Sequence, residues 1–410
     1  MSKILIASLG TGVKKEGGYR LAKYEIDGKH YTEKIIAKAL YNHIKFDKIF
    51  MIGTSRSMWD AVYETFDGKD EDLQFRLYAK QEKGSLEKSD LRTIETGWEE
   101  NFGMLGSKTF LVNYGLNDDQ LWSNFEIYLQ IAEYIENGDR IYLDITHSFR
   151  SLALMSYIML DFIKSVQQKR FTVEAVFYGM FEYSYEPSNT DRITPIIDLK
   201  ILFEISEWIK AISALKNYGR TELVAENSEK SFGAKSEATK LFNGFSESIS
   251  IANLASIKSY VNRVRNKLSV FDNTDSVIMK LVSKDLICFI KRMDKKNLSD
   301  FQFEMSKWYC ENKNYAMSYI VLAESIVSRV CEKESIGLET KEDRDKAKDI
   351  LHRKADYRSL SDKYGIPNIV RNNIAHQLSD RSCSAISDIE NLQKRIDGVE
   401  KAFNALDRAD

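Results

Sequence analysis

Ile141-Tyr142-Leu143-Asp144-Ile145-Thr146-His147-Ser148-Phe149-Arg150-Ser151 is the stretch whose reading decides the fold. Ile141, Leu143 and Ile145 alternate with a period of two, as strand residues do. Polar residues then cluster, and Leu152 to Ile163 resumes as an apolar-rich helical run. A strand, a hydroxyl-bearing turn and a helix form the unit from which parallel sheets are assembled. The free N–H groups and positive dipole end at the start of such a helix suit an anion. Arg150 would add a bidentate phosphate donor. The same residues also fit a structural turn, with Ser148 or Thr146 capping the helix and Asp144 tying down the loop.

Working outward, β-rich runs alternate with helical patterns through the first half of the chain. Candidate strands are Ile4–Ser8, Ile49–Gly53, Thr109–Asn113, Ile141–Ile145, Ala175–Tyr178 and Pro195–Leu199, with helices over Thr32–His43 and Leu121–Ile135. This alternation predicts an α/β, Rossmann-like N-terminal domain with a mostly parallel sheet. Asp27-Gly28 supplies a hairpin turn between Leu21–Ile26 and Lys29–Tyr31. Ligands of such sheets bind beyond the carboxyl ends of the strands. A second loop there is Ser8-Leu9-Gly10-Thr11-Gly12, whose glycines allow close approach to a phosphate or a base. It is neither the dinucleotide fingerprint, because position 15 is Lys15, nor a Walker loop, and a plain structural turn reads equally well.

Fourteen of the 20 glycines precede residue 200, and no proline interrupts Ile196 to Ile366. Turn-rich sequence therefore gives way to an all-α C-terminal domain. The division is 1–200 for the α/β domain, 201–240 for a linker helix and polar loop (residues 218–240 being rich in charge), and 241–410 for the helical domain. Tyr315, Tyr319, Leu322, Ile326 and Val330 form one apolar stripe, whose plain meaning is core packing. The charge run Glu339–Asp349 reads as a solvated helix or loop.

At 410 residues, 43% hydrophobic and 11% aromatic, the chain can bury two substantial cores. A net charge of −2 gives no global basic field for nucleic acid. Residues 1–200 carry 25 Lys and Arg against 30 Asp and Glu, and residues 201–410 carry 34 against 31, which favours the C-terminal half slightly as an RNA-contacting one. Cys288, Cys310, Cys331 and Cys383 form no Cys-x-x-Cys pair, arguing against a zinc ribbon or disulfide framework and for a reducing, cytoplasmic setting. No run is long enough for a signal core or a membrane span. His30, His43 and His352 lack partners at ligand spacing, so no metal site is expected.

Several runs together carry a resemblance. "SLGTG" at Ser8–Gly12, the Tyr19…Tyr24 hairpin, "IGTSRSMWD" at Ile52–Asp60 and "DITHSFRS" at Asp144–Ser151 resemble the CARF domains (CRISPR-associated Rossmann folds) of type III CRISPR ancillary proteins. The likeness covers about the first 200 residues. It implies a cyclic oligoadenylate as allosteric activator, bound across a twofold axis between two protomers, with cyclic tetra-adenylate favoured over hexa-adenylate. Carried over, Ser8, Gly10, Thr11, Gly12, Thr54, Ser55, Thr146, His147, Ser148 and Arg150 would form the ligand site.

In the second half, Pro367-Asn368-Ile369-Val370-Arg371-Asn372-Asn373-Ile374-Ala375-His376 is the informative run. Pro367 suits the first turn of a helix. Ile366, Val370, Ile374 and Leu378 then form an apolar stripe, with His376 roughly opposite it between Asn372 and Asn373. A solvent-exposed histidine fits this position, and so does a catalytic one. Arg371-x4-His376 resembles the Arg-x4–6-His motif of HEPN domains, many of which are metal-independent ribonucleases. That resemblance implies Arg371 and His376 as catalytic groups, a single-stranded RNA substrate and a homodimer or higher oligomer, while Asn372 and Asn373, four and three residues before His376, are placed to join that site by orienting its ring or binding RNA. Together the two halves imply an endoribonuclease of antiviral defence gated by a nucleotide ring. Two other readings stay open: a nucleotide-responsive binding protein with a non-cleaving helical half, and a ring-cleaving enzyme.

Overall fold

The computed structural model describes residues 1–12, 14–15, 18–147, 150–271, 276–376 and 385–408. It divides into two units, Met1–Phe203 and Glu204–Asp410.

The first unit is built on an eight-stranded sheet of β1 (Lys3–Leu9), β4 (Ala22–Ile26), β5 (Lys29–Glu33), β6 (Lys48–Gly53), β7 (Lys108–Leu111), β8 (Arg140–Asp144), β9 (Thr172–Gly179) and β10 (Ile193–Asp198). A separate hairpin pairs β2 (Lys14–Lys15) with β3 (Gly18–Tyr19). The strand order is β5-β4-β10-β9-β8-β1-β6-β7, and β9, β8, β1, β6 and β7 all run parallel. The other helices of the unit are α1 (Ile36–Ile44), α2 (Trp59–Thr65), α3 (Glu71–Lys83), α4 (Arg92–Phe102), α5 (Asp118–Glu133) and α6 (Arg150–Ser165).

β1 explains the architecture. Leu5, Ala7 and Leu9 enter a core with α1, α2 and α4, around Trp59 and Trp98. Ile4 and Ile6 enter a second core with α5 and α6, around Tyr128 and Met159. Both faces are dry, so the strand is an unbroken apolar run, as central strands of parallel sheets are. Each large aliphatic side chain buried there contributes roughly 1.5–3 kcal/mol.

Differences from the sequence expectation have local causes. Thr32 is not helical but lies in β5, where it pairs with Lys23 of β4, and the helix starts only at Ile36. Pro195 sits where β10 changes partners: Ile193–Pro195 pair with β4 and Ile196–Asp198 with β9, so its missing N–H falls at the changeover. The run α2–α4 is not announced by a clean apolar period, because α3 buries only Leu77 and Gln81.

The second unit is helical: α7 (Lys200–Tyr218, beginning just before it), α8 (Glu222–Phe232), α9 (Glu237–Ser250), α10 (Leu254–Val264), α11 (Val277–Met293), α12 (Leu298–Glu311), α13 (Tyr315–Lys333), α14 (Lys341–Arg353), α15 (Arg358–His376) and α16 (Ala385–Arg408). It contains two cores. One gathers Trp208, Val224, Phe245, Tyr260, Leu286, Phe301 and Met305 from α7 to α12. The other gathers Phe303, Leu322, Ile326, Leu351, Tyr364, Leu392 and Phe403 from α12 to α16. No described helix is long and apolar enough to cross a membrane.

Three expectations are corrected here. Residues 218–240 are not a polar loop: α8 occupies 222–232 and buries Val224, Asn227 and Ser228, so this stretch belongs to the first helical core. Pro367 does not open its helix. α15 begins at Arg358, and the proline lies inside it, leaving the Lys363 carbonyl without the usual donor four residues on. Of the expected stripe, Val370 is buried and Ile374 half-buried, but Ile366 is exposed because Leu360 and Tyr364 set the buried face. Leu378 lies outside the described residues.

Val224→Asp would place an unpaired carboxylate in the first helical core. The expected cost is on the order of 3 kcal/mol or more, read as a lower denaturation midpoint. A wild-type midpoint would show that 218–240 is loop after all.

Candidate functional site

In the first unit, β1 hydrogen-bonds to β8 on one edge and β6 on the other, with Ala7 opposite Asp144 and Leu9 opposite Gly53. The loops after all three strands therefore emerge side by side at the carboxyl edge. Their approach is close: a Cβ on Gly10 would meet the His147 carbonyl oxygen at 2.7 Å. Gly12 has φ +63°, and a Cβ there would meet Met58 Sδ at 2.9 Å. Thr11 and Gly12 are exposed, and Ser55 and Thr146 are partly exposed.

The loop after β6 is braced from within. Ser57 Oγ donates to the Leu9 carbonyl (2.7 Å) and accepts from Thr54 N (2.9 Å). Trp59 Nε1 donates to the Thr54 carbonyl (2.9 Å), and Arg56 N to Thr54 Oγ1 (3.3 Å). Thr54, expected as a ligand contact, is thus buried and engaged in holding the loop; Ser55 stands at its tip. Ser57 and Trp59 are the residues that build it, and their signal was only their place in the "IGTSRSMWD" run.

The loop after β8 carries buried polar groups. Asp144 is fully buried; its Oδ1 accepts from Thr146 N at 2.9 Å, while Oδ2 has no partner. Burial pushes its carboxyl up to about 7, against hydrogen bonds from Thr146. Thr146 Oγ1 accepts from Gly179 N at 2.8 Å. His147 Nε2 is buried without a partner and its ring lies 5.4 Å from that of Phe181; burial lowers its pKa to about 4. His147 is therefore neutral near pH 7 and offers a hydrogen bond, not a cation, to any anion. Ser8 is buried with an unpartnered Oγ, on the opposite face of the sheet from Ala7. Ser148 and the Arg150 side chain lie outside the described residues; Arg150 itself begins α6.

Beside the first loop, Tyr19 OH donates to Asp60 Oδ1 (2.9 Å), and Gln81 Nε2 donates to both Asp60 Oδ1 (2.7 Å) and Tyr19 OH (2.8 Å). This buried cluster ties β3 to α2 and α3, and Tyr19 also packs over Gly12.

In the second unit, α15 delivers Arg371 to α13. Arg371 Nη2 donates to Glu324 Oε1 at 3.1 Å, and Arg371 Nη1 to Asn372 Oδ1 at 2.9 Å. The other carboxylate oxygen of Glu324 accepts from Arg344 Nη2 of α14. Asn372, expected to orient the histidine ring or bind RNA, here accepts from the arginine. Burial, with the Glu324 carboxylate nearby, pushes the Tyr364 phenol up to about 12. Asn373 is partly buried, His376 ends α15, and the His376 side chain lies outside the described residues. Glu324 and Arg344 escaped the sequence reading. Their partners lie 47 and 20 positions away, and no local spacing marks them. Among the described residues, no group of three or more His, Cys, Asp or Glu is arranged to hold a metal.

Residues 4–182 match the family model described as CRISPR system endoribonuclease Csx1, CARF domain. Most of the N-terminal unit is thus similar to a CARF domain. Residues 204–300 match the model of CRISPR-associated protein MJ1674, second domain, which spans most of the first helical core. The CRISPR-associated protein MJ1674 of Methanocaldococcus jannaschii is 29% identical over 360 residues, covering 81% of this chain and 54% of that protein. The chain thus spans about half the length of this curated relative. Among solved structures, Enterococcus italicus Csm6 bound to cyclic hexa-2'-fluoro-hexa-dAMP aligns at a TM-score of 0.46 and 14% identity, over 98% of this chain and 94% of that one.

Two predictions test this edge of the first unit's sheet. Gly10→Ala must push the His147 carbonyl aside and should cost about 1–3 kcal/mol, seen as a lower melting temperature; an unchanged value would contradict the close approach. The second concerns Asp144. An unfolded chain releases this proton near 3.8 and the folded chain holds it to about 7, so the folded state binds more protons in between. The stabilisation from Asp144 is complete below 3.8 and is lost as the pH rises through 7. His147 acts oppositely, because its unfolded state takes up a proton below 6.5. Subtracting Asp144→Asn from wild type isolates the first effect. The mutant's relative stability should climb from about pH 4 to about pH 7 and then level off, and a flat difference would sink the assignment.

Proposed function

We propose that this chain is a cyclic-oligoadenylate-activated, metal-independent endoribonuclease of type III CRISPR defence, with the CARF domain as sensor and the helical half as catalyst. The observation that carries the reading is the placement of Arg371. It and His376 sit on one helix, one turn and a half apart, and the guanidinium is held by a carboxylate at the surface of a helical core. The description of the family matched by the CARF domain, an endoribonuclease, supports it.

The chemistry follows from the residue types. RNA carries its own nucleophile. Imidazole, with a pKa near neutrality, takes the 2′-hydroxyl proton as O2′ attacks phosphorus. Arg371, always charged, stabilises the extra negative charge on the pentavalent phosphate. The P–O5′ bond breaks and a second imidazolium protonates the leaving oxygen, giving a 2′,3′-cyclic phosphate and a 5′-hydroxyl. One motif supplies one His376, so acid and base come from two protomers of a homodimer. The exposed apolar side chains Ile366 and Ile369 on α15 and Ile386 and Ile389 on α16 support such pairing, as do Leu154 and Ile158 on α6 of the CARF domain.

The exposed Thr11 and Gly12, with the partly exposed Ser55 and Thr146 and the α6 N-terminus, would receive the phosphates and riboses of the ring. A twofold axis presents matched loops to a ring that has its own rotational symmetry. Cyclic tetra-adenylate is the proposed activator and hexa-adenylate the second choice. Activation is a shift between two states of the helical dimer, driven by the ring's higher affinity for one of them.

The test is cleavage of a fluorescent single-stranded RNA in EDTA, with and without each ring, for wild type and His376→Ala. Cleavage that requires a ring and disappears in the mutant supports sensor, catalyst and metal independence together. Ring binding without cleavage would overturn the nuclease assignment in favour of a binding protein. Loss of the ring itself over time would assign ring cleavage to the CARF domain.

A further inference from the structure

The second unit holds a cluster of which the proposed chemistry uses only Arg371 and its carboxylate partner. Arg371 of α15 and Arg344 of α14 converge on the single carboxylate of Glu324 on α13, each guanidinium taking one oxygen through its Nη2. All three side chains are partly exposed, at 35% for Arg371, 18% for Arg344 and 26% for Glu324, so the cluster is within reach of a ligand from solvent.

Both arginines are also anchored independently of that carboxylate. Arg371 Nη1 donates to Asn372 Oδ1 at 2.9 Å. Arg344 Nη1 donates to Ser328 Oγ at 3.3 Å, and its Nη2 also reaches the Glu324 backbone carbonyl at 3.4 Å. Removing the Glu324 carboxylate would therefore leave two guanidinium groups in place, with their inner N–H donors aimed at one point. A carboxylate and a phosphodiester offer guanidinium the same thing: two oxygens sharing one negative charge, able to bridge two planar donors. With Glu324 present the cluster carries a net single positive charge, so an incoming phosphate is still attracted to it.

We propose that Glu324 is a stand-in for RNA phosphate: it occupies the fork between Arg344 and Arg371 in the unliganded protein, and the substrate backbone displaces it. Arg344 is then a second substrate-binding residue, holding the phosphodiester while Arg371 serves the reacting phosphate. The inference rests on the ribonuclease reading and adds to it a binding residue and a competing carboxylate. Glu324 acts against substrate affinity, which keeps idle RNA off the site.

The experiment measures binding of a 2′-O-methylated single-stranded RNA, which cannot be cleaved, by fluorescence anisotropy across salt concentrations. It adds kcat and KM on cleavable RNA with the activating ring. Full-length wild type, Glu324→Gln, Glu324→Asp, Arg344→Ala and Arg344→Lys are compared, with melting temperatures alongside. Glu324→Gln should tighten binding by roughly fivefold and lower KM, and Glu324→Asp should stay near wild type. Arg344→Ala should weaken binding, lower the salt slope by about 1, and raise KM with kcat largely kept; Arg344→Lys should recover the slope but not the full affinity. Weaker or unchanged RNA binding in Glu324→Gln would mean that the carboxylate only orients Arg371, and overturns the inference. If Glu324→Gln does not fold, an unchanged KM and salt slope in Arg344→Ala overturns it instead. Wild type that neither binds nor cleaves RNA overturns the ribonuclease reading as well; wild type that does both confines any failure to this inference.

Discussion

Hydrogen bonding of β1 along both its edges, to β8 on one side and β6 on the other and with all three strands parallel, is the constraint on which the first unit depends. Parallel pairing sends the three following loops out of the same edge of the sheet. It also leaves β1 no solvent-facing side, so its alternate residues must satisfy two separate cores. The site at the carboxyl edge is thus a by-product of how the strand is buried. Gly10 exists there because two main chains meet where a Cβ would have to stand. Thr54 and Ser57 spend their hydroxyls keeping the neighbouring loop in register with that meeting point.

Burial at the same edge decides which charges the site can present. In sequence Asp144 reads as tying down the loop and His147 as a ligand contact. Enclosure raises the first and lowers the second, so both are drawn toward their neutral forms near neutral pH. These two side chains then favour hydrogen bonding over formal charge toward an anion, as the main-chain N–H groups of a helix start do. The helical unit is built the other way. Its Arg371 and Arg344 stay partly exposed and share one carboxylate.

Much of the first unit was legible because its strands carry simple patterns. Ile141, Leu143 and Ile145 alternate, Asp27-Gly28 marks a hairpin, and glycines punctuate the strand ends. Helices α2 to α4 were not legible, since a helix such as α3 buries only two residues and leaves no apolar period to read. In the second unit, the stripe from Tyr319 to Val330 was read correctly as core. α8 was missed because its buried side chains are mostly small or polar: Asn227 and Ser228 lie beside the single apolar Val224. Pro367 misled for a physical reason as well. Proline favours a first turn, but neighbouring packing through Leu360 and Tyr364 carried the helix through it. The role of Glu324 could not be read at all, because a salt bridge between distant helices leaves no local trace.

α12 lies between the two helical cores, giving Phe301, Met305 and Tyr309 to one and Phe303 to the other. Neither core can loosen around that helix without exposing the back of its neighbour. The two cores are in this sense a single cooperative substance. Slow amide exchange along α12 would then report the joint opening of both cores.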